Sequence, residues 1–368
     1  MSTGRELLFW YFKWVDLYTD TIGLLKYPDF LIIGAQKAGT TWLHRNLQAH
    51  PQIWMPKEKE LHYFDEKIRV KPSLLTKLRG DEPPEKRWRR QVVRQLKGYR
   101  KDLSSKEKIS LKDLKKDLQW DFRYFLKKPG NEWYASLFEQ GEGKITGEAT
   151  PDYSIIRQPR VAQVHEVMPD AKIVLMVRNP LERAWSQALM DFERRRPLDS
   201  VTDQLFRRHF LGHRPRMFSD YQRTLENWGS YYPDDQIFVG FLEDVSLAPN
   251  RLLERLYGFL GAESTVKYRV IKRKIHSRSV ETIPTRHAKV LARIYHDELV
   301  QLSERFGGYA SFWLYCADRL INDTPEEESI PYPLWESRFW EEWGDAQKVA
   351  VQSGALSSMS RGGSRGGT

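Results

Sequence analysis

Short apolar runs alternate along this chain with stretches whose apolar residues recur at helical spacing. Asp29 to Ile33 is apolar after its first residue and ends at Gly34, after which Trp42, Leu43 and Leu47 mark one helix face until His50-Pro51 interrupts it. These spacings predict a strand, a loop and a helix. The succession recurs: Lys144 to Glu148 reads as a strand, Val161, Val164 and Met168 as a helix, Ala171 to Val177 as a buried strand, and the residues from Pro180 as a helix. Gln236 to Phe241 predicts a further strand, and Leu252, Leu253, Leu256 and Phe259 a helix ending at Gly261. Strands alternating with helices predict an α/β fold with a parallel β-sheet flanked by helices on both faces.

Residues from about 66 to 130 break this rhythm. They are rich in Lys and Arg, contain Glu82-Pro83-Pro84-Glu85, and carry helix-like stretches at Gln91 to Leu96 and Leu111 to Leu118. They predict a helical insertion within one domain spanning residues 28–310. The basic run reads as a solvated face or as a wall for a polyanion. A helix from about Thr285 to Phe306 closes at Gly307-Gly308, and residues 311–350 form an aromatic-rich arm with Trp335, Trp340 and Trp343. The Gly/Ser/Arg-rich residues 351–368 predict a disordered tail. Within residues 1–27, Lys13, Asp16 and Asp20 interrupt the run Leu7 to Phe12 well before the roughly 20 apolar residues of a spanning helix. That segment predicts an amphipathic helix packed on the domain, with a membrane-surface helix as the alternative and no transmembrane anchor.

Forty per cent hydrophobic and 13% aromatic residues predict that most of the 368-residue chain folds. The excess of 59 basic over 49 acidic residues, a net charge of +10, predicts attraction to polyanions without choosing among nucleic acid, anionic lipid, phosphorylated cofactor and acidic polysaccharide. A single cysteine, Cys316, excludes an intrachain disulfide and a cysteine metal cluster, which leads to the expectation of a cytoplasmic location. No metal-ligand spacing appears among the nine histidines, so no metal is expected.

The loop Gly34-Ala35-Gln36-Lys37-Ala38-Gly39-Thr40-Thr41 lies between the first strand and its helix, where backbone N–H groups and the helix dipole attract phosphate. Its glycines have the spacing of a nucleotidase P-loop, but the lysine does not follow the second glycine. Lys37 comes two residues before Gly39, and Thr40-Thr41 occupies the place of Lys-Ser/Thr. That placement disfavours a Mg-ATP kinase. A second anion motif follows the strand ending at Val177. Asn179 and Pro180 suit a helix start, Glu182 gives a capping-box-like spacing, and Ser186 falls on the face of the cap. Arg178 and Ser186 can then converge on one phosphate, with bidentate contact from the arginine. The alternative is a capped helix with a surface ion pair at Arg183 or Arg178.

With these two motifs in this order, the chain resembles the sulfotransferase superfamily, and within it the branch that modifies glycosaminoglycans and other carbohydrates. Pro56 to Asp65 is similar to the Lys-Glu-x-His-Phe-Phe segment of that branch, and Gly147 to Tyr153 and Trp228 to Asp244 fall in family order. The resemblance spans about residues 28 to 307. It implies a P-loop-like fold and 3′-phosphoadenosine 5′-phosphosulfate as the sulfate donor. It places Lys37, Ala38, Gly39, Thr40, Thr41 and Trp42 at the 5′-phosphosulfate, Arg178 and Ser186 at the 3′-phosphate, and Lys274 in a basic loop closing over it. Ala149 stands where heparan sulfate members commonly carry lysine.

Sulfuryl transfer needs in-line positioning, charge neutralisation and removal of the acceptor's proton. Lys37 can stabilise charge on the bridging oxygen. Glu60 aligns with the family's catalytic glutamate and is the expected base, with His62 as its rival. The expected acceptor carries a hydroxyl or amine and, given the basic charge, is an anionic saccharide. A small metabolite or lipid alcohol, and a non-enzymatic polyanion-binding module, are the alternatives. Nucleic acid is not the expected partner.

Overall fold

The computed structural model describes residues 25–65, 111–195, 197–264 and 280–352. The described residues fall into two compact units, one of residues 25–27 and 111–140, the other containing the rest. Residues 1–24, the stretch Gln91 to Leu96, Lys274 and its basic loop, and the tail beyond 352 lie outside the described residues.

In the larger unit, five strands form a parallel sheet: β1 (Phe30–Gly34), β2 (Ile53–Trp54), β3 (Ile145–Ala149), β4 (Lys172–Val177) and β5 (Ile237–Phe241), in the order β2-β3-β1-β4-β5. The apolar run at Phe30 becomes the central strand because its side chains can be covered on both faces. All five residues of β1 and all but the first of β4 are buried. Phe30 pairs with Gly147 on one side and Lys172 on the other. The strand order reverses around β1, so the loops leaving β1 and β4 lie at the carboxyl edge where ligands usually bind in such sheets.

Local chemistry explains the helices on this frame. Thr40–Gln48 starts at Gly39, whose φ of 86° suits glycine and where an added Cβ would lie 2.9 Å from Leu242 Cδ1. Pro180–Glu193 starts at Asn179, whose Oδ1 accepts a hydrogen bond from the Leu181 amide at 3.1 Å. Pro249–Leu260 stops at Gly261 in the left-handed region, at φ 83°. Thr285–Phe306 has the expected bounds, and the aromatic-rich stretch that follows begins with a helix. A helix, Gly308–Asn322, starts at once and packs on its predecessor, with Phe312, Trp313 and Cys316 buried.

Further on, β6 (Thr282–Pro284) and β7 (Ser329–Pro331) form an antiparallel pair that the sequence did not announce, and helix Arg338–Gln352 follows. Strands of two or three residues, as in β2, β6 and β7, are too short to display a period of two. In the smaller unit, helix Leu111–Leu126 carries Trp120, whose indole donates to the Leu137 carbonyl at 2.9 Å. Tyr124 stacks with Trp120 and Trp133 at ring-centroid distances of 5.1 and 6.0 Å.

The tightest approach within the sheet is at Gly147, where an added Cβ would lie 2.2 Å from the Phe30 ring. Gly147→Ala is expected to destabilise the protein by about 1–3 kcal/mol through overpacking. Thermal denaturation should show a midpoint lowered by several degrees, and an unchanged midpoint would contradict this packing.

Candidate active site

The loop after β1 and the strand end at Arg178 meet. Lys37 sits at φ 72°, and its carbonyl oxygen accepts from Arg178 Nη1 at 3.2 Å, a contact across 141 residues. Thr40 and Trp42 are buried and Ala38 is fully enclosed, while Lys37 and Thr41 keep partial exposure. The first amides of Thr40–Gln48 carry no side-chain cap, so the positive end of this helix faces the loop.

Arg178 is buried, and its guanidinium is held on several sides. Nε and Nη2 donate to Glu182 Oε2 at 3.1 and 2.9 Å, and Nη2 also donates to the Tyr332 hydroxyl at 2.6 Å. Its main chain is clamped as well, because the Tyr221 hydroxyl donates to its carbonyl at 2.7 Å. The expected capping-box role of Glu182 is corrected. Its carboxylate binds Arg178 through one oxygen and accepts the Leu334 amide through the other at 2.7 Å. A buried cation one helical turn away outcompetes the helix-start amide for this charge. Ser186 lies buried in the second turn of the same helix. Arg183 is not at the surface: it is fully buried, donating to Ser219, Gln187 and the Pro215 carbonyl.

A second cluster forms on the end of β3. The Glu60 amide donates to the Ala149 carbonyl at 2.9 Å, while the next amide, that of Thr150, donates to Ile32 on β1. Glu60 and His62 therefore sit on the same sheet edge as the loop. Tyr153 secures this segment. Its hydroxyl accepts the amide of Tyr63 at 3.0 Å and donates to the buried Glu148 at 2.9 Å. Within the cluster His62 Nδ1 lies 2.7 Å from Asp65 and Nε2 lies 3.7 Å from Glu60, whose other oxygen is 3.1 Å from Lys59 Nζ. His62 above all, against the effect of burial and with help from Lys59, lowers the pKa of Glu60 to about 2. Burial lowers that of Lys59.

Asp152 joins this group and is ion-paired with Arg214. Glu60, His62 and Asp152 offer ligand atoms within 4.8 Å of one another, a grouping that no histidine spacing signalled. The same groups are matched in charge by Lys59, Arg214 and each other. Asp65, Asp152, Tyr153, Arg214 and Tyr332 join the site without a role predicted from the sequence. Asp65 lies within the segment Pro56 to Asp65 and the Asp152-Tyr153 pair within Gly147 to Tyr153, whereas Arg214 and Tyr332 carry no local signal.

The sequence model of the sulfotransferase family matches residues 28–265, which include both anion motifs and the Glu60 segment. This chain belongs to the sulfotransferase family. Human heparan sulfate glucosamine 3-O-sulfotransferase 6 is 32% identical over 144 residues, 37% of this chain and 41% of that protein. Membrane-associated sulfotransferase kil1 of Dictyostelium discoideum is 29% identical over 169 residues, 45% of this chain and 23% of that protein. The chain thus spans less than half the length of these relatives. A crystal structure of a sulfotransferase from Alicyclobacillus acidocaldarius shares the fold, with a TM-score of 0.51, 19% identity, and coverage of 78% of this chain and 98% of that one.

These likenesses correct the expectation of a cytoplasmic location, since one relative is named as membrane-associated. A lone cysteine reports only on disulfides and is compatible with either setting. Among the described residues no helix is long and apolar enough to cross a membrane.

Beside the Arg178–Glu182 pair lies Glu243, fully buried, accepting from the Trp313 indole at 2.6 Å and with its second oxygen unpartnered among the described residues. Burial first, and the charge of Glu182 second, raise its pKa to about 8. A raised pKa makes its stabilising contribution complete below the ordinary value of 4.5 and lost as pH rises through about 8. Between these limits this group is expected to lower the unfolding free energy by up to about 1.4 kcal/mol per pH unit. Urea denaturation at pH 6 and pH 8 should show a shallower decline for Glu243→Gln, and an unaltered decline would refute the assignment.

Proposed function

We propose that this chain transfers a sulfuryl group from 3′-phosphoadenosine 5′-phosphosulfate to a hydroxyl or amine of a carbohydrate. The observation that supports this reading is the hydrogen bond between Arg178 and the Lys37 carbonyl, which joins the loop after β1 to the end of β4. A nucleotide with phosphate groups at both its 3′ and 5′ positions fits two anion motifs joined in this way better than a single-ended phosphate does. The likeness to a protein named for glucosamine 3-O-sulfation supports a saccharide acceptor. So does Arg214, half exposed beside Asp152 and able to meet an anionic sugar substituent.

In the proposed step, the acceptor oxygen or nitrogen attacks sulfur in line. The bond from sulfur to the bridging phosphate oxygen breaks, and adenosine 3′,5′-bisphosphate leaves. Lys37 and the loop amides stabilise charge growing on that oxygen. Thr40 and Thr41 bind the 5′-phosphate, and Arg178 and Ser186 the 3′-phosphate. Glu60 takes the proton released by the acceptor, with His62, itself held by Asp65, beside it. A carboxylate whose pKa lies near 2 is a weak base, which suits a loose transition state in which the acceptor's proton becomes acidic only as its new bond forms.

Titration calorimetry with adenosine 3′,5′-bisphosphate, and transfer of labelled sulfate to a panel of glycans and small alcohols, test this reading. Glu60→Gln is expected to lower turnover by about 10²- to 10⁴-fold with bisphosphate affinity unchanged. Full turnover in that variant would remove Glu60 as base, and lack of micromolar bisphosphate binding by the wild-type chain would remove the reading itself.

A further inference from the structure

Arg178 has less to offer a phosphate than its sequence position implies. A guanidinium carries five N–H groups. Nε, one hydrogen of Nη1 and both of Nη2 are directed to Glu182, the Lys37 carbonyl and Tyr332, as the hydrogen bonds of Arg178 record. Among the described residues one N–H has no acceptor, on Nη1, so the bidentate contact expected from sequence is not available in this arrangement. A doubly charged phosphate in a buried site seeks a donor for each acceptor oxygen, and among the described residues Arg178 offers it a single N–H.

The missing donor is at hand in a part of the chain beyond the family match, which ends at residue 265. Tyr332 follows β7, and its amide donates to the Glu281 carbonyl at 2.8 Å, fixing where its side chain starts. Its ring lies under the Arg178 guanidinium, 5.1 Å from centroid to Cζ, and its hydroxyl oxygen accepts from Nη2. A phenol that accepts through oxygen still has its own O–H to donate. Among the described residues that O–H has no acceptor. Two residues on, the Leu334 amide donates to the other oxygen of Glu182. The segment 332–334 is thus bound to both members of the Arg178–Glu182 pair.

We propose that Tyr332 is a donor-site residue that binds the 3′-phosphate through its hydroxyl, alongside the remaining N–H of Arg178. This rests on the sulfuryl-transfer reading, since it presumes a nucleotide with a 3′-phosphate. It makes the C-terminal segment part of the nucleotide site and adds selectivity for that phosphate. A purely structural tyrosine would steady Arg178 and the loop of Lys37 without distinguishing nucleotides that differ only at the 3′ position.

Calorimetry on the full chain with adenosine 3′,5′-bisphosphate and with adenosine 5′-phosphate separates these roles. Tyr332→Phe keeps the ring and removes the hydroxyl. Its affinity for the bisphosphate is expected to fall about tenfold or more, the effect of losing a hydrogen bond to a charged group, while its affinity for adenosine 5′-phosphate stays the same. Unchanged binding of both nucleotides, or an equal loss for both, overturns the proposal. A wild-type chain that binds neither nucleotide overturns the sulfuryl-transfer reading, whereas selective binding by the wild type with no selective loss in the variant overturns the role of Tyr332 alone. Hydrogen exchange on the wild-type chain provides a second measurement that does not depend on the variant folding. The amides of Ile330, Tyr332, Leu334, Trp335 and Glu336 should gain protection with the bisphosphate and not with adenosine 5′-phosphate, and equal protection by the two contradicts the proposal.

Discussion

A cation buried at the edge of a sheet must be matched by charge and hydrogen bonds, and in this protein much of the site is arranged around one such cation, Arg178. Removing one partner of a buried pair typically costs about 3–5 kcal/mol, because the charge left behind is neither solvated nor neutralised. Glu182 meets that demand from one turn along the next helix. The Lys37 carbonyl and the Tyr332 hydroxyl complete the shell, so the loop after β1, the end of β4 and the C-terminal segment converge at one point. The same contacts that stabilise the charge orient the groups at this edge of the sheet.

Electrostatics divides the site into two regions. Around Arg178, burial favours the protonated form of Glu243, while Glu182 lies opposite the Arg178 guanidinium, with Arg183 buried nearby. Lys37 and the uncapped helix start add positive potential. At the end of β3 the pattern is reversed. Glu60 is held ionised and Asp65 and Asp152 flank His62, with Lys59 and Arg214 as counter-charges. Under the proposed reaction, anionic phosphates and sulfate approach the first region and a proton leaves toward the second. Both regions rest on adjacent strands, since Ile32 of β1 pairs with Ala149 of β3.

The C-terminal part of the chain contributes more than cover. The antiparallel pair β6–β7 carries Tyr332 and Leu334 to the Arg178–Glu182 pair, and the helix Gly308–Asn322 places Trp313 on Glu243. The matched family region stops before these elements, yet they take part in the charge balance of the site. Changes in the C-terminal elements can therefore alter this charge balance without altering the motifs that identify the family.

The parallel α/β sheet, the loop at Gly34 to Thr41 and the helix start at Asn179 are legible along the chain, because each depends on residues adjacent in it. An apolar run, a glycine that must adopt positive φ and an Asn-Pro helix start are all local. A contiguous motif also locates Glu60 and His62. Lys274 and its loop lie outside the described residues. Folding alone sets which partners Glu182 takes, gathers Asp65, Asp152 and Arg214 around His62, and brings Tyr332 to Arg178. These pairings join residues as far as 154 positions apart. Their strength comes from burial and from competition among nearby charges, and neither is encoded in the spacing of residues along the chain.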